Sequence, residues 1–231
     1  MLYGKHMLQN LYIIIPCFNE DLVLRTTVSE LMALGYKVII VDDASTIPAK
    51  ELLQDLPLHI VRHPINLGQG AALQTGMDYA LKLGADAVVH FDADGQHSAE
   101  DIPRFLETLN QGYDIVLGSR FLRTADKNSI PAKKRIVLQA ARIVNLLFCG
   151  LWLTDAHNGF RALNKNALQK IRLQENRMAH ASEILQQIKK NKLKVCEIPT
   201  FISYTEYSLQ KGQKISNSLN IFLDLLLRKL L

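Results

Sequence analysis

Ala87-Val88-Val89-His90-Phe91-Asp92-Ala93-Asp94-Gly95-Gln96 decides the fold, because a short apolar run breaks off there at two carboxylates and a glycine. Ala87 to Phe91 is too short for a helix and reads as a largely buried strand. Upstream, Gly70 to Leu83 has helical spacing, with Leu73, Met77 and Ala80 at the steps of one buried face. Downstream, Ser98 followed by Glu100 and Asp101 supplies a cap and an acidic first turn for a helix over Ala99 to Leu109.

The same alternation extends outward. Leu11 to Ile15, Lys37 to Val41, Leu58 to Arg62 and Ile115 to Leu117 read as further strands, and Asp21 to Leu34 as a helix capped by Asn19 with acidic Glu20 and Asp21. Repeated strand-helix-strand units define the α/β class with a mainly parallel sheet. Ligands of such sheets collect at the carboxyl ends of the strands. The polar clusters fall there: Pro16 to Glu20, Asp42 to Ser45, Asp92 to Gln96 and Gly118 to Arg120. Four on one edge amount to a site.

The second half is less regular. Lys133 to Leu153 reads as a basic, then apolar helical stretch, Ala181 to Lys190 as a helix, and Lys194 to Ile198 as a strand closed by Pro199. Ser216 to Leu231 reads as a leucine-rich helix ending in Arg228 and Lys229. No repeat or linker stands out, so the expected organisation is one catalytic domain over residues 1–212 and an amphipathic C-terminal helix over 213–231.

With 231 residues, 48% hydrophobic and 21% charged, the chain has the makings of one α/β domain with a short appendage. A net charge of +5 suits phosphates or an anionic lipid surface without demanding nucleic acid, and no nucleic-acid partner is expected. Cys17, Cys149 and Cys196 are far apart and form no CxxC pair, which points to a reducing compartment rather than a disulfide or zinc framework. The apolar run before Pro16 is shorter than the ~7 to 15 residues of a secretory h-region. Ile143 to Leu153 and Ile221 to Leu231 fall short of the ~20 residues that cross a bilayer.

Asp92 and Asp94 just past a buried strand can turn toward a hard cation such as Mg²⁺ or Mn²⁺, which shares oxygen ligands with substrate phosphates, and Gln96 can add a neutral oxygen. The alternative is a pair of ordinary turn residues. Asp42 and Asp43 either accept hydrogen bonds from a nucleotide or open the following turn. Asn66 to Leu73 has the GxG of a dinucleotide fingerprint but lacks its final small residue and follows the third strand; small residues there permit close backbone approach and helix packing. Asp155-Ala156-His157-Asn158-Gly159-Phe160-Arg161 joins an acid, an amide and a guanidinium, although Arg161 also suits a surface ion pair and His157 a hydrogen-bonded core position.

In order along Leu11 to Ile202, these residues resemble the family 2 glycosyltransferases, more narrowly the polyprenyl-phosphate glycosyltransferases related to dolichol-phosphate mannose synthase. The elements are Pro16-x-x-Asn19-Glu20, Val41-Asp42-Asp43 with Ser45, Asn66-x-Gly68-x-Gly70, Asp92-Ala93-Asp94-Gly95-Gln96-His97, Gly118-Ser119-Arg120-Phe121 and Gly159-Phe160-Arg161. The resemblance implies the GT-A fold, a Rossmann-like sheet flanked by helices. It also implies that Pro16, Asn19, Glu20 and Asp42 hold the nucleoside, with Asp43 and Gly70 nearby. Asp92, Asp94 and Gln96 would bind Mg²⁺ or Mn²⁺ and through it the diphosphate, while Arg120 and Arg135 would contact phosphate oxygens. Arg161, Asp94, Arg120 and Asp155 form the implied catalytic set. Glu183, Lys211, Gln213 and Lys214 fall at further polar positions of the family without an assigned role.

The expected reaction is inverting displacement at the anomeric carbon of a nucleotide diphosphate sugar, with a UDP-hexose favoured over GDP-mannose. A polyprenyl phosphate acceptor is already anionic and needs positioning and charge neutralisation. A saccharide hydroxyl acceptor, as in surface polysaccharide assembly, needs a base, for which Asp155 is the candidate. A noncatalytic nucleotide-sugar binding subunit is the third reading. Many members of the family continue into transmembrane helices; here contact with the cytoplasmic face of the membrane is expected from Lys133 to Leu153 and the terminal helix, lying in the interface or docked on a small integral membrane partner.

Overall fold

A computed structural model describes residues 9–21, 23–122, 146, 150–155, 158–176 and 179–201. The strands are β1 (Leu11–Cys17), β2 (Lys37–Asp42), β3 (His59–Arg62), β4 (Ala87–His90), β5 (Ile115–Ser119), β6 (Arg161–Asn164) and β7 (Val195–Pro199). The helices are α1 (Leu24–Ala33), α2 (Ala49–Leu52), α3 (Gln69–Lys82), α4 (Ile102–Asn110, led by a 3₁₀ turn at Ala99–Asp101), α5 (Lys165–Lys170) and α6 (His180–Lys190). The terminal helix expected over 213–231 and most of the Lys133 to Leu153 stretch lie outside the described residues. Among the described residues no helix is long and apolar enough to cross a membrane.

The sheet has the order β3-β2-β1-β4-β6-β5-β7. β1 pairs in parallel with β2 and β4, β2 with β3, and β5 with β7; β6 alone runs backwards, between β4 and β5. Strands covered on both faces must be apolar on both. Alternate residues of β1 accordingly feed two cores: Ile13 and Ile15 meet Leu24, Val28 and Leu31 of α1 and Phe105 of α4, while Tyr12 and Ile14 meet Leu73, Met77 and Ala80 of α3 and Ile184 of α6. The result is the expected α/β architecture, a mostly parallel sheet between helical layers.

Two details depart from the sequence reading. β6 was not expected, since Arg161-Ala162-Leu163-Asn164 has no β-branched residue. Asn19 does not cap α1, whose N-cap is Val23. It adopts φ 55° instead, a conformation asparagine tolerates better than most residues, and its Oδ1 accepts from the Thr46 amide at 2.8 Å across the neighbouring loop. The cap expected at Ser98 is present: its Oγ accepts from the Glu100 amide at 3.3 Å. At Gly70 close approach is literal, because a Cβ would collide with the carbonyl of Glu175.

Candidate active site

The strand order turns about β1, with β2 and β3 to one side and β4 to the other. Such a switch point opens a crevice beyond the carboxyl ends. Asp42 and Asp43 arrive there at the end of β2, Asp92 and Asp94 after β4, and Arg120 after β5. Pro16 sits in the last turn of pleat of β1, with Asn19 and Glu20 just beyond, and Gly70 in the first turn of α3. Because β6 runs backwards, its amino end meets the same edge, and Arg161 stands opposite His90 of β4. Arg135, His157, Lys211, Gln213 and Lys214 lie outside the described residues.

Asp42 is fully buried. Its Oδ1 accepts from the Ser45 amide (2.8 Å), and its Oδ2 from the Ala49 amide (3.0 Å) and Arg62 Nη1 (2.6 Å). Burial alone would raise its pKa, but these bonds together hold it below the ordinary carboxylate value. Asp43 accepts from the amides of Leu67 (2.9 Å) and Gly68 (2.6 Å), and its Oδ1 lies 2.7 Å from His63 Nδ1. The Asn19 amide donates to Ser45 Oγ at 3.1 Å, so the loops after β1 and β2 are joined.

The second pair is built differently. Asp92 Oδ1 accepts from Gln69 Nε2 (3.0 Å), and Oδ2 lies 3.1 Å from His97 Nε2. Burial works to raise its pKa; the His97 bond and the charges of His97, Arg161 and His180 bring it below the usual range. Asp94 accepts from the Gln96 amide at 3.0 Å, yet burial and then the neighbouring Asp92 charge push its pKa up. Gly159 packs against Asp92, where any Cβ would collide with Oδ2. No cluster of three or more His, Cys, Asp or Glu arranged for a metal occurs among the described residues. The set of Asp92, Asp94 and Gln96 is nonetheless all oxygen, as hard cations require, and a cation there would offset both the burial and the Asp92 charge that raise Asp94.

Arg120 grips Asp155 by a fork, Nε to Oδ2 at 2.6 Å and Nη2 to Oδ1 at 2.8 Å, and its amide adds a third bond at 3.1 Å. Asp155 is buried and its own amide donates to Glu197 Oε1 at 2.9 Å, beside bonds from the Thr154 amide and hydroxyl to the same carboxylate. Arg161 is not the surface ion-pair partner that its type also allowed. It is 2% exposed, its Nη1 meets no hydrogen-bond partner among the described residues, and burial lowers its pKa to about 10 against the pull of Asp92 and Asp155. His90, paired with it in the sheet, has neither ring nitrogen bonded among the described residues and is driven to about 3, first by burial and then by the charges of Arg161 and His180.

The sequence reading missed Glu197, Gln69, Arg62 and His63 as partners of the acidic residues, and left His97 without a role. His97 adjoined the acidic turn and Gln69 the small-residue turn, so both were within reach of a motif-based reading. Glu183 proves structural: its carboxylate accepts from the amides of Gln174 and Glu175 at 2.9 to 3.1 Å.

A parallel sheet with a switch point lined by carboxylates and arginines fits the match that residues 12–172 make to the model of glycosyl transferase family 2, and the chain belongs to that family. Among its relatives is a UDP-N-acetylglucosamine–dolichyl-phosphate N-acetylglucosaminyltransferase of Methanococcus voltae, 32% identical over 95% of this chain and 96% of that protein. Polyprenol monophosphomannose synthase of Mycolicibacterium smegmatis is 28% identical over 71% of this chain and 65% of that one. The fold matches the glucosyl-3-phosphoglycerate synthase of Mycobacterium tuberculosis, solved with Mn²⁺, UDP and phosphoglyceric acid, at TM-score 0.65 and 14% identity over 92% of this chain and 78% of the other. The protein is a glycosyltransferase of the GT-A fold.

Proposed function

We propose that the protein moves a hexose, with inversion, from a nucleotide diphosphate sugar to a polyprenyl phosphate, using a divalent cation held by Asp92, Asp94 and Gln96. Bound there, Mg²⁺ or Mn²⁺ would neutralise the charge of the departing diphosphate. Pro16, Asn19, Glu20 and the loops tied down by Asp42 and Asp43 form the nucleoside wall, while Gly70 serves it indirectly, by letting the first turn of α3 pack on the Glu175 carbonyl. Arg161, buried and within the electrostatic reach of Asp92 and Asp155, would place a positive charge beside the diphosphate. Arg120 and Arg135 take phosphate oxygens.

One observation carries the choice of acceptor. Asp155, the residue expected as base for a hydroxyl, has both oxygens in the fork of Arg120. To take a proton it would have to weaken that fork. A phosphate acceptor asks for no base, and the relatives named for dolichyl phosphate and polyprenol support the same choice. A UDP-sugar is favoured as donor.

Residues 1–212 form the catalytic domain in this reading, and 213–231 a helix that lies in the cytoplasmic face of the membrane or docks on a small integral membrane partner. Membranes mixed with the protein, Mn²⁺ and radiolabelled donors are expected to yield an organic-soluble, acid-labile glycolipid; failure across UDP- and GDP-sugars rejects the acceptor. Asp155→Asn separates the hydroxyl reading, under which loss of a general base costs about 10² to 10⁴ in turnover, from the phosphate reading, under which the loss stays below that range.

A further inference from the structure

We propose that His97 is a positioning residue for the cation site, fixing the carboxylate of Asp92 in the orientation that receives the metal. The proposal rests on the assignment of Asp92 and Asp94 as metal ligands. Although His97 follows the acidic turn directly, its side chain is only 2% exposed. Nε2 lies 3.1 Å from Asp92 Oδ2, and Nδ1 meets no hydrogen-bond partner among the described residues. An ionised carboxylate only accepts, so Nε2 carries the proton and donates.

The ring has little freedom to do anything else. It lies edge-on to Phe91 at 5.6 Å between centroids and tilted against Phe160 at 4.9 Å, and Phe160 stacks on Phe105 of α4 at 4.3 Å. This aromatic group belongs to the core on one face of the sheet, so the imidazole is anchored in the fold rather than in the loop. Gln69 holds the other oxygen of Asp92, and the Gly159 backbone closes the side of Oδ2. Asp92 is thus clamped at both oxygens, leaving their remaining lone pairs in fixed directions. Hydrogen-bonding partners of ligating carboxylates typically set metal affinity by about 10- to 100-fold.

His97→Phe keeps a ring in the aromatic group and removes the donor; His97→Gln keeps an N–H donor and loses the ring. Mn²⁺ is titrated into the full chain with UDP present, and the free ion is followed by its electron paramagnetic resonance signal. The expected result is a Kd for Mn²⁺ weakened about 10- to 100-fold in His97→Phe and partly restored in His97→Gln, with metal-free melting temperatures alike. Should phenylalanine not fit, His97→Leu is read in the same way. Undiminished Mn²⁺ affinity in a folded donor-less variant overturns the role of His97 while leaving the metal site standing. No Mn²⁺ binding by the unaltered protein overturns both.

Discussion

Two pairs of acidic residues stand at neighbouring places on one sheet edge and have opposite fates. Asp42 and Asp43 are saturated by the protein itself: amides of Ser45, Ala49, Leu67 and Gly68, the guanidinium of Arg62 and the ring of His63. Among the described residues Asp92 and Asp94 share only Gln69, His97 and one amide, and Asp94 is raised by burial and by its neighbour's charge. The histidines repeat the contrast. His63 has Asp43 on one nitrogen and Thr75 on the other at 2.9 Å, whereas His90 has neither nitrogen bonded among the described residues. The first pair holds loops in place; the second has fewer partners, which is what the proposed cation site requires of it. Residue type and place on the sheet edge are alike, so it is the partners that tell the two pairs apart.

The comparison breaks most visibly at the second pair. Asp92→Ala with Asp94→Ala is expected to lower sugar transfer by about 10³-fold or more, since a bound cation contributes several kcal/mol of charge stabilisation in the transition state. Some stability is lost with it, because Gln69, His97 and the Gln96 amide lose their acceptors, so transfer is compared at a temperature where the variant is folded. Transfer undiminished by both substitutions and by chelator would show that the acidic turn is only a turn. Asp43→Ala is expected to do the reverse, costing about 3 kcal/mol of stability, because the Leu67 and Gly68 amides and His63 lose their acceptor together. Urea unfolding measures it, and a cost below about 1 kcal/mol would place Asp43 with the ligand-binding pair.

How much of this was legible follows from the same contrast. The parallel strands could be read because burial on both faces demands unbroken apolar runs, as in Ile13 to Ile15 and Val38 to Val41. β6 could not, because Arg161 puts a charge in a central strand and Ala162-Leu163-Asn164 adds no β-branched residue. The acidic residues of the edge were visible, but their division was not. Glu197 meets Thr154 across 43 positions of sequence, and Arg62 meets Asp42 across 20, separations that no local pattern encodes. The misread cap at Asn19 has the same origin, since its side chain answers to Thr46 rather than to the helix beside it.

His90 sharpens the contrast through pH. Its folded-state pKa of about 3 lies below the ordinary 6.5, so below pH 6.5 the unfolded chain takes up a proton that the native protein refuses. Stability is therefore full above pH 6.5 and falls with acidification, by about 2 kcal/mol at pH 5. His90→Val should flatten this part of the acid limb in denaturant titrations at several pH values. An unchanged slope would mean that His90 can charge in place.

The smallest effect is expected at Arg62, and it decides what holds Asp42. The guanidinium is 41% exposed while the carboxylate is wholly buried, so solvent screens the cation and much of its attraction. With the amides of Ser45 and Ala49 still in place, Arg62→Ala should cost about 1 kcal/mol, less in high salt. Because the folded pKa of Asp42 is depressed, the stability it contributes is present above the unfolded value near 3.8 and is lost as pH falls through the lower folded value. Arg62→Ala should leave most of that acid limb intact. A loss of several kcal/mol, or an acid limb moved up to the ordinary carboxylate range, would mean that the guanidinium rather than the backbone keeps Asp42 ionised, and that the first pair too depends on an opposite charge, as the second is proposed to.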